Sequence, residues 1–177
     1  MPYISFAELA ERPGARELAD VASTEHEAVV DPALMDATLR AGDRSAWGAD
    51  EQALADAALA RVGDAVAEAG ALIDGFLVQR GYPLPLELPP TSTGKSVLSA
   101  WARAIARYLL HKGRITEESK DPIARDHRDA MKMLGLLADG KYSLGAVDPA
   151  KASPAATDVR FAGAPTVFGR AQLDGFR

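Results

Sequence analysis

The segment Leu72-Ile73-Asp74-Gly75-Phe76-Leu77-Val78-Gln79-Arg80-Gly81-Tyr82-Pro83-Leu84-Pro85-Leu86 decides the fold. An amphipathic pattern runs into it and stops. Gly81 suits the left-handed conformation that closes a helix, and Pro83 and Pro85 cannot continue one. Beyond the stop, Tyr82, Leu84 and Leu86 alternate with prolines, which reads as an extended apolar strap. Pro89-Pro90 follow, and a new helical pattern begins. An apolar strap needs a covering surface, from neighbouring helices or from another subunit.

Upstream, Leu54, Ala58, Val62, Val66, Ala69, Ile73, Phe76 and Leu77 recur at steps of three or four. They predict one long helix over 51–80, capped by Asp50, about 45 Å long at ~1.5 Å per residue. Asp56, Asp64, Glu68 and Asp74 fall off the apolar stripe. Gly63, Gly70 and Gly75 weaken this helix by ~1 kcal/mol each relative to alanine, and we read them as marks of close helix contacts. Downstream, Val97, Leu98, Trp101, Ile105, Tyr108 and Leu109 predict a helix over 96–112 ended by Gly113. Ile123, Ala130, Met131, Leu134 and Leu137 predict another over 122–138, ended by Gly140. Toward the N-terminus, Ser5 with Glu8 is a capping box. Pro13-Gly14 interrupts the helix it starts, and residues 15–22 resume it. Asp31-Pro32 reads as N-cap and first helical position of a helix to about Arg40, before a loop over 42–48 that holds Trp47. From Ala146 on, periodicity is lost, although 159–161 and 166–168 have the composition of short strands.

The 177 residues suffice for one domain with a core. Alanine and leucine dominate and aromatics are 6% of the chain, which favours packed helices over sheets. There is no cysteine, so disulfide frameworks and thiolate metal sites are excluded. No apolar run reaches the ~18 residues of a membrane span, and the first residues lack the plan of a signal peptide. Charge is uneven: residues 1–80 hold six Lys/Arg against fifteen Asp/Glu, and residues 81–177 hold fourteen against ten. That asymmetry suits an acidic surface of one copy meeting a basic surface of the next, or simply an unevenly charged solvated surface.

Three chemistries are weighed against plainer readings. Thr93-Gly94-Lys95-Ser96 mimics the end of a phosphate-binding loop, but Pro89 stands where that loop needs a glycine and no buried strand precedes it. A Ser/Thr helix cap after a proline turn is the plainer reading. His26, His111 and His127 have no metal-ligand spacing and read as surface residues. Arg103, Arg107, Lys112, Arg114, Lys120, Arg125, Arg128 and Lys132 form a basic stretch, but Glu117, Glu118, Asp121, Asp126 and Asp129 interleave with them and dilute any field for DNA. A nucleotide-dependent phosphotransferase using Lys95 and Ser96, or a small helical DNA-binding packaging factor, are the alternatives these features leave.

Five blocks, in order, carry a resemblance: Tyr3–Leu9 with Glu17-Leu18; 72–86; Ala104-Ile105-Ala106-Arg107-Tyr108-Leu109-Leu110; Leu134 and Leu137 through Asp139-Gly140-Lys141-Tyr142-Ser143-Leu144; and Val167-Phe168-Gly169-Arg170-Ala171-Gln172-Leu173-Asp174-Gly175-Phe176. Together they resemble the phage Mu-like neck family, the head–tail connector (adaptor) proteins of tailed bacteriophages and prophages. The chain departs from that pattern in an apparent expansion over 23–48 and in the Thr-Ser-Thr-Gly-Lys-Ser turn. The expected fold is all-α: a small helical bundle around one long helix over 1–145, and an extended C-terminal tail over 146–177. The resemblance implies a structural, non-enzymatic protein without cofactor or metal. It implies a homo-oligomeric ring, a dodecamer in the virion neck, monomeric when isolated. Portal protein would lie on one side and a stopper or tail-terminator on the other, with DNA passing through the lumen without sequence-specific binding and no membrane involved. Sparse aromatics on such a tail either anchor in a partner's pockets or strap the chain's own core; the resemblance favours the former, which makes Phe161, Phe168, Arg170, Leu173, Phe176 and Arg177 the residues that bind portal or neighbouring subunits. Asp74, Tyr82, Pro83, Leu84, Pro85, Arg107 and Tyr108 form the strap and its support, with Asp74 bonded to strap backbone or to Arg107.

Overall fold

One helix organises the molecule. In the computed structural model, which describes residues 3–24, 28–89 and 91–145, helix α4 runs over Ala49–Arg80. Its 32 residues span about 48 Å. Its buried stripe is Ala55, Ala58, Val62, Ala65, Val66, Ala69, Ile73 and Leu77, the periodicity expected from the sequence. Leu54 and Phe76 flank that stripe, half-buried. The start differs from expectation. Gly48 is the cap, because the Glu51 carboxylate reaches back to accept its N–H at 2.8 Å. Asp50 therefore lies inside the first turn, where its charge still suits the helix dipole.

The end is as read. Gly81 takes φ 96°, its N–H reaches the carbonyls of Leu77 and Val78, and the Tyr82 N–H reaches Leu77 O at 2.9 Å. This is the Schellman closure, and the apolar residue after it, Tyr82, is buried at 3% exposure.

The chain returns in α5 (Thr93–His111) and again in α6 (Pro122–Ala138). These two helices and α4 pack pairwise against one another. Leu98, Trp101, Ile105, Leu134 and Leu137 are buried in that three-helix core. The Asp121 side chain caps α6 by accepting from the N–H groups of Ile123 and Ala124, with Pro122 at the first position.

The N-terminal part is a smaller helical layer. Helix α1 (Phe6–Leu9) opens with the Ser5–Glu8 capping box. A π-helical turn over Ala10–Gly14 is kinked at Arg12, which is extended, ahead of Pro13. Helices α2 (Ala15–Ala22) and α3 (Pro32–Leu39) follow and pack on each other and on α4. Asp31 caps α3 by accepting from Ala33 and Leu34 N–H. Among the described residues three buried polar side chains, Ser23, Thr38 and Ser99, all find partners: Ser23 Oγ donates to Ala19 O and accepts from Val30 N–H, Thr38 Oγ1 donates to Leu34 O, and Ser99 Oγ donates to Tyr3 O at 2.7 Å. The last of these fixes Tyr3 against α5. Among the described residues there is no strand, so the fold is all-α, and no helix is long and apolar enough to cross a membrane.

Of the glycines expected to mark helix contacts, only Gly63 faces a neighbour, Phe6 Cζ, at 3.7 Å from an ideal Cβ position; an ideal Cβ on Gly70 or Gly75 meets no described residue of another element within 4 Å. The tail over 146–177, with its two candidate strands, lies outside the described residues.

A strap, a groove and an internal ion cluster

The strap follows from its proline spacing. Tyr82 is pinned by the helix closure, while Pro83, Leu84 and Pro85 run along the surface, with Leu84 41% exposed. Leu86 and Leu88 are half-buried against the core. The Pro89 carbonyl accepts from Ser92 N–H, and the Ser92 side chain caps α5 by accepting from Lys95 N–H. Between the strap and α5 lies a groove of about 530 Å³. Leu84, Pro85, Leu86, Glu87 and Leu88 form one wall, and Lys95 and Leu98 of α5 another; Tyr3 and Asp74 also line it.

Asp74 occupies the place foreseen for it, beside the strap, but with a different partner. The Tyr3 hydroxyl donates to its carboxylate from 71 positions away. Burial, then that hydrogen bond and the charge of Asp74, push the Tyr3 phenol above its ordinary value of 10.0. Nothing local in the sequence pairs these two residues. The only signal was that both fall in blocks carrying the family resemblance.

Arg107 and Tyr108 do not line the groove. Arg107 makes two bonds to the Glu17 carboxylate, at 2.5 and 2.7 Å, and His111 Nε2 lies 3.0 Å from the same carboxylate. Arg114 pairs with Asp20 at 2.8 Å. Burial would raise the Glu17 carboxyl, but the bonds and charge of Arg107 and His111 outweigh it and hold Glu17 below its ordinary 4.5. Part of the acidic-first, basic-second asymmetry is therefore satisfied inside one chain, where the basic end of α5 docks on the acidic face of α2. Tyr108 turns toward α6. Its ring stacks on His127 with centroids 4.0 Å apart, and its hydroxyl donates to Glu118. His111 and His127 are thus part-buried packing residues, where a surface position was expected; burial lowers the His127 pKa. His26 lies outside the described residues, as do Phe161, Phe168, Arg170, Leu173, Phe176 and Arg177.

The phosphate-loop look-alike resolves into the first turn of α5. Gly94 is buried there, and a Cβ on it would meet Leu144 O at 2.5 Å. The glycine serves the close approach of Leu144. Helix α5 begins at Thr93, three residues earlier than its apolar spacing indicated, because Ser92 provides the cap. No group of three His, Cys, Asp or Glu able to hold a metal occurs among the described residues.

These features define an all-helical protein built on one long helix, with a proline-spaced apolar strap beside an open groove. The chain belongs to the family described as Bacteriophage Mu, Gp36, whose profile matches residues 3–162. It is similar to "Mu-like prophage FluMu protein gp36" of Haemophilus influenzae (strain ATCC 51907 / DSM 11121 / KW20 / Rd), with 32% identity over 139 residues, which cover 78% of this chain and 89% of that protein. It is also similar to "Gene product J" of Escherichia phage Mu, with 32% identity over 130 residues, 73% of this chain and 80% of that protein. It is a Mu-like phage protein.

Proposed function

We propose that this protein is the structural head–tail connector of a Mu-like phage or prophage, a subunit of the neck ring between portal and stopper or tail-terminator. The observation that carries the reading is the strap: a member of this family folds a complete helical core yet leaves Leu84 41% exposed beside an open groove. Residues 1–145 are the helical adaptor domain. Residues 146–177 are the arm, whose Phe161, Phe168, Arg170, Leu173, Phe176 and Arg177 supply aromatic and cationic anchors of the kind that fill partner pockets.

A closed ring needs two different surfaces per subunit. With Glu17 and Asp20 already paired, the charges left for such contacts include exposed Asp64 and Glu68 on α4 and Lys132 on α6, none of them in an ion pair among the described residues. A lumen for DNA works by not gripping it, which suits Asp64 and Glu68 facing the channel; Asp56, bonded to Arg44, is already partly neutralised. The reading involves no chemistry on nucleotides.

The test is genetic and visual. An amber mutation in this gene, examined by electron microscopy of the lysate, should give DNA-filled heads and finished tails that do not join, and the protein supplied in trans should restore joining. Complete particles in the mutant lysate would end the connector reading.

A further inference from the structure

We propose that the groove between the strap and α5 seats residues 159–177 of the same chain. The path of the chain favours this occupant. Leu144 is 4% exposed and packs on Gly94, the residue immediately before Lys95, which lines the groove. The described chain therefore ends at Gly145 close to the groove. From there residue 159 is 14 positions on, a reach of up to about 50 Å at ~3.3–3.6 Å per residue, far more than is needed.

The chemistry matches as well. The groove offers Leu84, Leu86 and Leu98 with two carboxylates, Asp74 and Glu87, against one cation, Lys95. Residues 159–177 carry Phe161, Phe168, Leu173 and Phe176 with three arginines against one aspartate. Tethering beside its site gives the segment an effective concentration that a free second copy lacks in dilute solution. The docked segment covers Leu84 in the isolated subunit. The inference goes beyond the connector reading and is read on the isolated chain, so either can fail without the other.

The chain has no cysteine, which makes disulfide trapping clean. Full-length protein carrying Leu86→Cys with Phe161→Cys or with Phe168→Cys is oxidised in dilute solution. The control pairs Leu72→Cys with the same tail positions; Leu72 is exposed on α4 some 200° around the helix from Asp74, at ~100° per residue. An intrachain disulfide forming faster in a groove pair than in its control is the expected result. Equal rates, or disulfides only between chains, overturn the proposal. As a second readout, trypsin should cut after Arg160 and Arg170 about tenfold faster in full-length Leu84→Ser than in the parent, the factor for losing one partly covered leucine contact. Circular dichroism confirms that the helices persist. Unchanged cleavage in a folded variant refutes the docking.

Discussion

Gly94→Ala tests how the chain is closed. An ideal Cβ at this position lies 2.5 Å from Leu144 O, 3.2 Å from Leu144 Cβ and 3.4 Å from Leu144 C. Two of these obstacles are backbone atoms, so no flexible side-chain tip can simply swing aside. Restoring ordinary contact requires a retreat of roughly 1 Å by a segment whose Leu144 is 4% exposed. Overpacking of this kind costs about 1–3 kcal/mol. The helix preference for alanine returns at most ~1 kcal/mol, and less in a first turn. The net loss is about 1–2 kcal/mol, which for a chain of this size lowers Tm by about 2–8 °C. Thermal unfolding by circular dichroism measures it. The local signature is more specific: Tyr142 packs on Trp101 with ring centroids 5.7 Å apart, so lifting Leu144 should alter Trp101 emission, read in a Trp47→Phe background. Hydrogen exchange should quicken at 142–145. A Tm equal to or above the parent's, with exchange at 142–145 unchanged, would refute the close approach as the reason for glycine here.

Two further outcomes follow from the long-range polar contacts. Glu17→Gln removes the carboxylate shared by Arg107 and His111 and should cost about 1 kcal/mol at neutral pH, the cluster being only part-buried. Because the folded carboxyl lies below its ordinary 4.5, its stabilisation is complete above that pH and is lost as pH falls through the lower folded value; the Tm gap between parent and variant should therefore close in acid, and a gap independent of pH would contradict the account. Tyr3→Phe strips Asp74 of its donor and should cost about 1–2 kcal/mol. The raised phenol stabilises the fold fully below pH 10.0 and loses that contribution as pH climbs beyond it; Tyr108, bonded to Glu118, is raised too, so ultraviolet titration should show a late-ionising tyrosine fraction that shrinks but does not vanish in Tyr3→Phe, and an unchanged late fraction would assign the step elsewhere.

Much of the fold was legible because its punctuation is local. Asp31-Pro32, Ser5 with Glu8 and Gly81 each act within a few residues, and the structure uses all three as caps or closures. The misplaced helix starts are also local competitions. At α4, Glu51 closing over Gly48 set the start in place of Asp50; at α5, Ser92 set it ahead of the apolar spacing. The groove was half legible. The strap residues stood out by their prolines, whereas Tyr3 and Lys95 as its other walls did not.

The sequence by itself determined that this chain is all-α, where its long helix ends, and that an apolar strap follows, because periodicity and capping depend on neighbours within a turn or two of chain. Only the tertiary structure decided that Asp74 answers to Tyr3, that Arg107 and His111 converge on Glu17, and that Gly94 yields to Leu144. Those pairings join residues 50 to 94 positions apart. They depend on how each packed helix is rotated about its axis, which is set by the fit of the whole core and not by any one segment.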